Sequence, residues 1–282
     1  MNKLYQKSEI WFAIIWIIIY VVGTSIVDGI SQDYELNKIP TFVFHVMLCV
    51  IIICWMNKQQ LFSNYGLCRA NSHASKFLYY IPLLIIASCN LWFGMTMNLG
   101  ITESVFFAGS MVCVGFIEEI IFRGFLFKAM AKDSIKAAII VSSITFGIGH
   151  IVNLFNGSSD DPIATICQII YAMAIGFLFV IIFYRGGTLW PCIITHSVVN
   201  ALSVFADERV MTDQIQIITA AVLTVIPLIY VIILNKTLPR REINEKVFYR
   251  VQRIRHAWKY HGHGSRYHRR CCIYCHRYIA GK

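Results

Sequence analysis

The sequence predicts an all-α protein, a polytopic membrane bundle of about eight transmembrane helices with a basic tail, and three observations carry that expectation. Of its 282 residues 57% are hydrophobic and only 14% charged, with a mean hydropathy of +0.61, whereas soluble domains hold about 45–50% apolar and about 25% charged residues. The apolar residues gather in runs of roughly 20, the length of helix that crosses a hydrocarbon core of about 30 Å. The polar breaks between runs are short, and 17 Gly and 6 Pro are too few for a collagen-like or linker-rich chain.

The runs fall at about 9–30, 39–56, 77–98, 103–128, 134–152, 162–184, 189–206 and 213–235. The first begins Ile10-Trp11-Phe12 after Lys3 and Lys7; it is too long for a signal peptide and lacks an Ala-x-Ala cleavage site. Orientation follows from the loops, because Lys and Arg are retained on the cytoplasmic side during insertion. Lys58, Arg69 and Lys76, then Lys128, Lys132 and Lys136, then Arg185 all fall on the side of the N-terminus. The opposite loops hold Lys38 and Arg209 among Asp33, Glu35, Glu103, Asp160, Asp161, Asp207 and Asp213. Residues 1–236 therefore read as a transmembrane domain with both termini cytoplasmic, and compact loops suit a bacterial plasma membrane.

The net charge of +10 is not a nucleic-acid signature, since 13 of the 25 Lys and Arg lie after Leu234. The surplus belongs to a tail, and no nucleic-acid partner is expected. Ten cysteines would suggest a disulfide framework in a small secreted protein. Here Cys49, Cys54, Cys89, Cys113, Cys167 and Cys192 sit in apolar runs, where cysteine behaves as a small hydrophobe.

Against this background the informative residues are polar ones at membrane depth. Glu118 and Glu119 lie in Phe116-Ile117-Glu118-Glu119-Ile120-Ile121-Phe122-Arg123, where ionisable groups cost several kcal/mol unless they face a protein interior or a wet cavity. Glu119 and Arg123 are i and i+4, so they can pair on one helix face, and Glu118, turned about 100° away, is freer to act. A carboxylate in an apolar pocket suits a general base. His150 ends Phe146-Gly147-Ile148-Gly149-His150, where the glycines permit close helix approach. His196 and Asn200, again i and i+4, aim two polar side chains from one helix. Intramembrane charges such as Glu118, Glu119 and Arg123 are functional by default, whereas His150 alone, or the pair His196 and Asn200 alone, is equally well read as structural; together they can hold a water, a metal or a developing oxyanion. One tension is geometric. Glu118 lies about 15 Å, and His150 about 24 Å, from the cytoplasmic ends of their helices at 1.5 Å per residue.

Glu118-Glu119-x-x-x-Arg123, Phe146-x-x-x-His150 and His196-x-x-x-Asn200, in that order on successive helices, resemble the CPBP family of intramembrane proteases. That group includes the type 2 CAAX prenyl endopeptidases and the bacteriocin-processing or self-immunity proteins, also called Abi. The resemblance covers about residues 103–206 and implies an eight-helix bundle with a conical cavity. It further implies that Glu118 and His150 activate water, that His196 and Asn200 bind the oxyanion or complete a metal site, and that Glu119 and Arg123 support them. Glu118, His150 and His196 are acceptable zinc ligands, but the chain lacks HExxH. A metal-free mechanism, with Glu118 as base and Asn200 in the oxyanion hole, stands beside the zinc one.

The expected function is therefore endopeptidase action on a membrane-associated or lipidated peptide or protein. The alternatives are a non-catalytic immunity or scaffold protein that binds a peptide and, further off, an ion-coupled carrier, for which inverted repeats or broken helices would be the signature. In the tail, 237–282, Ile243, Val247, Val251, Ile254 and Trp258 recur at helical spacing while Arg250, Arg253, Arg255 and Lys259 occupy other faces. That pattern suits a helix docked on anionic membrane lipids, though a calmodulin-like target or an RNA-binding arm fits the composition equally. His261, His263, His268, Cys271, Cys272, Cys275 and His276 form a zinc-ligand-rich end that matches no standard finger and equally suits acylated cysteines or an unstructured end.

Overall fold

The computed structural model describes residues 1–155 and 161–239; the expectations for the tail beyond these, both the amphipathic helix and the Cys/His-rich end, lie outside the described residues. The chain is an all-α membrane bundle. Its helices are α1 (Asn2–Lys7), α2 (Glu9–Asp33) and α3 (Ile39–Gln59), then α4 (Ile81–Ala87) and α5 (Ile101–Met130). They continue with α6 (Ile135–Gly149), α7 (Pro162–Gly186), α8 (Trp190–Leu202) and α9 (Asp213–Thr237). Among the described residues six helical segments, including all of α2, α3, α5, α7 and α9, are long and apolar enough to cross a membrane, and two apolar stretches are shorter.

Local chemistry explains where the helices start. Ser8, Ser134 and Thr212 each accept a hydrogen bond from the backbone amide three residues on, capping α2, α6 and α9. Asp161 caps α7 through Ile163 N at 2.8 Å, with Pro162 at the first helical position. The outward faces are apolar: Ile18, Val22 and Ile26 of α2 and Ile217, Ile218 and Val225 of α9 are exposed. The polar side chains Thr41, His45, Ser110, Ser142 and Ser143 are buried. This inversion of the soluble pattern is what a lipid solvent selects.

The expected third span, 77–98, is not one helix. Leu78, Tyr79 and Tyr80 have positive φ of 48°, 51° and 61° before α4, which Pro82 helps to start and which runs for only 7 residues. The segment is tied instead to α8 and the turn that follows it. Asn90 Nδ2 donates to Val199 O at 2.7 Å, Thr96 N to Phe205 O at 3.0 Å and Asn98 Nδ2 to Ala206 O at 2.8 Å. Irregular backbone survives at membrane depth only with such satisfaction. The expected seventh span, 189–206, is similarly short, with 13 residues of α8 followed by the 3₁₀ turn Ser203–Phe205.

Helix α5 is the central element, packed against α3 and α8, with its second half against α2 and α6. Gly115 brings α8 close: a Cβ there would collide with the Ser197 backbone and hydroxyl, and Ser197 Oγ donates to Val112 O at 2.9 Å. Gly147 does the same between α6 and α7, against Met173 and Ile169 O. Within α5 the stretch Ile120–Phe127 is π-helical. Ser142 Oγ of α6 donates to Phe122 O there at 2.8 Å, satisfying a carbonyl where the α ladder is interrupted.

Asp161 joins α7 to α9 by accepting from Gln216 Nε2 at 3.1 Å. That bond, with the backbone amides of Ala164 and Ile163, holds its carboxyl below the usual carboxylate range. A group whose folded-state pKa is depressed contributes stability above its unfolded pKa and loses it as pH falls through the folded one. Asp161→Ala is accordingly expected to lower the melting temperature in detergent at neutral pH, with the gap from wild type closing under acid. A gap that stays constant down to the acid side of the carboxylate range would show that the charge plays no part.

Candidate active site

Of the polar residues singled out in the sequence, Glu118, Glu119, Arg123, His150 and His196 come together where α2, α5, α6 and α8 face one another. Glu119 and Arg123 form the expected i, i+4 pair, Nη1 to Oε1 at 3.0 Å, with both side chains at 0% exposure. Among the described residues Arg123 Nε and Nη2 and Glu119 Oε2 have no hydrogen-bond partner, and aromatic rings flank the guanidinium instead. The Arg123 guanidinium lies 4.0 Å from the Phe146 ring centroid and 5.6 Å from that of Phe179. Gly176 leaves it room, since a Cβ there would come within 3.4 Å of Nη2.

The same Glu119 oxygen lies 3.0 Å from His196 Nδ1. A carboxylate paired with arginine can only accept, so Nδ1 carries a proton, and in the neutral ring Nε2 is left as an acceptor. Nε2 points to the neighbouring carboxylate, 3.6 Å from Glu118 Oε2. Arg123, Glu119, His196 and Glu118 thus form a chain in which the buried end fixes the tautomer of the imidazole at the exposed end.

Glu118 is the more accessible glutamate, at 12% side-chain exposure. It borders a cavity of about 90 Å³ with Tyr20, Thr24, Phe122, Phe146, His150 and Asn153, which is room for a few waters. His150 thus reaches the same space as Glu118 despite their unequal depths along the chain. The reason is directional: side chains lean toward the N-terminus of their own helix. Helices α5 and α6 run antiparallel, so Glu118 and His150 lean toward each other. Phe146, one turn before His150, is the common floor; its ring centroid is 5.6 Å from those of both His150 and His196, near-perpendicular to each.

Asn200 follows His196 by one turn on α8 and is half-buried, but it is not among the cavity residues. Zinc was one expectation for Glu118, His150 and His196. Among the described residues no three His, Cys, Asp or Glu side chains are grouped to hold a metal ion. His196 directs Nδ1 to Glu119 and Glu118 places Oε1 against Tyr20, which leaves His196 Nε2 and Glu118 Oε2 as the atoms not engaged by these bonds.

Two polar groups escaped the sequence reading. Tyr20 of α2 donates its hydroxyl to Glu118 Oε1 at 2.5 Å. One turn on, Thr24 Oγ1 meets His45 Nε2 at 3.0 Å, and His45 Nδ1 meets Ser110 Oγ at 2.7 Å. The available signal was the polar series Tyr20, Thr24, Asp28 at steps of four in an otherwise apolar run. A tyrosine in such a run reads as an interfacial belt residue instead.

Residues 100–202, from the start of α5 to the end of α8, match the protein-family model described as type II CAAX prenyl endopeptidase Rce1-like. This stretch is an Rce1-like domain, in agreement with the resemblance of the three motifs. No curated protein and no solved structure matches the chain.

Proposed function

We propose that the chain is an intramembrane endopeptidase that hydrolyses a peptide bond of a membrane-associated or lipidated chain, with Glu118 and His150 activating the water. The observation that carries this reading is a carboxylate bordering a water-sized cavity together with an imidazole, its second oxygen directed at another imidazole. Glu118 takes a proton as the water oxygen adds to the scissile carbonyl carbon, and His150 holds that water in line. The carbonyl oxygen becomes an oxyanion bound by Asn200 and by His196 in its doubly protonated form, whose Nε2–H donates. When the C–N bond breaks, the proton passes from Glu118 to the leaving amine, so the elements of water are divided between the two new termini. Glu119 and Arg123 hold His196 from behind.

The matched family description supplies a substrate class to try first, a prenylated chain ending in a CAAX sequence. The proposal includes an orientation supported by the distribution of Lys and Arg: both termini cytoplasmic, with the basic tail on the anionic leaflet. The test compares terminal peptides of host membranes carrying wild type or Glu118→Gln at matched expression, and incubates both proteins with a farnesylated CAAX peptide in liposomes. New peptide ends confined to wild type support hydrolysis, and cleavage of the farnesylated peptide places the substrate in the prenyl class. Coincident profiles from a folded, abundant wild type overturn the enzyme reading in favour of peptide binding without turnover.

A further inference from the structure

The general base proposed above does not stand alone, and its closest hydrogen bond comes from outside the matched domain. Tyr20 lies in the middle of α2, is buried at 8% exposure, and donates to Glu118 Oε1 at 2.5 Å. Between residues 9 and 33 most side chains on the outer faces are apolar and exposed. A buried hydroxyl at membrane depth must find an acceptor. It finds one oxygen of one carboxylate, 98 residues away in sequence.

We infer that Tyr20 is a positioning residue for Glu118, an inference that rests on the reading of Glu118 as the base. A free glutamate side chain rotates about its last torsion over a broad range, so its two oxygens are interchangeable and neither is held toward a substrate. The tyrosine hydroxyl removes that freedom. It occupies Oε1, leaving Oε2 as the oxygen that faces His196 Nε2 and is free to take a proton. Tyr20 is in turn held rigidly. Its ring is 6.0 Å from that of His45, and His45 is tied to Thr24 of the same helix and to Ser110 of α5. The first span is thereby joined to α5 at two successive turns, Tyr20 to Glu118 and, through His45, Thr24 to Ser110. The catalytic geometry then depends on a helix that lies outside residues 100–202.

Tyr20→Phe tests this, because it removes the hydroxyl and keeps the ring. With the farnesylated CAAX peptide, kcat is expected to fall about 10- to 100-fold, the fold-change of losing one hydrogen bond to a charged group. KM should change by less than about twofold, as expected when an interaction that matters only in the transition state is lost. In the Glu118→Gln background the same substitution should change residual turnover little, since both act through one group. An equal loss in both backgrounds, or a kcat within about twofold of wild type, overturns the inference while leaving Glu118 as base. Full activity of Glu118→Gln itself overturns the reading on which the inference rests.

A second measurement needs no turnover. The infrared band of the Glu118 carboxyl group, identified as the difference between wild type and Glu118→Gln, is expected to shift on going to Tyr20→Phe. A band that keeps its position in a variant with wild-type thermal unfolding overturns the inference independently of any substrate.

Discussion

Replacing Arg123 by methionine is expected to cost about 3–5 kcal/mol of stability, the range for removing one partner of a buried ion pair. The guanidinium is fully buried and pairs with Glu119; without it Glu119 is a buried carboxylate that keeps only the His196 N–H as a partner. Methionine keeps much of the volume against Phe146 and Phe179, so the loss reports charge more than packing. The double variant Arg123→Met with Glu119→Gln should recover part of the deficit, with a coupling of at least about 1 kcal/mol. Thermal unfolding in detergent of the four members of the cycle measures it. Additive losses would mean that the two residues stabilise the bundle separately and that the 3.0 Å contact has no energetic content.

Glu118→Gln is expected to leave folding intact and to lower kcat by about 10²–10⁴-fold, the usual contribution of a positioned general base. The amide oxygen still accepts from the Tyr20 hydroxyl, and the side chain keeps its shape beside His150. What disappears is the capacity to take a proton from water. Substrate affinity should change little, so the loss appears in kcat and kcat/KM alike. Kinetics on a peptide cleaved by wild type decide the matter, and a variant within tenfold of wild type would remove Glu118 from the role of base.

The spans and the Glu119–Arg123 pair were legible in the sequence because both follow from simple periodicities, a run of apolar residues and a step of four. The broken third segment was not, since its composition is as apolar as that of a helix. What interrupts it is the left-handed backbone at Leu78, Tyr79 and Tyr80 together with the external partners offered by Val199, Phe205 and Ala206. Tyr20 escaped for a different reason. A tyrosine's meaning depends on what its hydroxyl meets, and the partner lies 98 residues away. Helix rise alone sets Glu118 and His150 at unequal depths, but antiparallel helices lean their side chains toward each other.

The π-helical stretch Ile120–Phe127 immediately follows the two glutamates. Wider turns hold more residues, so the part of α5 carrying Glu118 and Glu119 is rotated from where an unbroken α-helix would set it relative to Met130. The carboxylates are aimed by counting as well as by chemistry. Deleting one residue from this stretch would leave every functional group in the chain, yet change the angle at which both glutamates are presented around the helix axis. The spacing between Glu119 and the end of α5 is therefore as much a part of the site as the acids themselves.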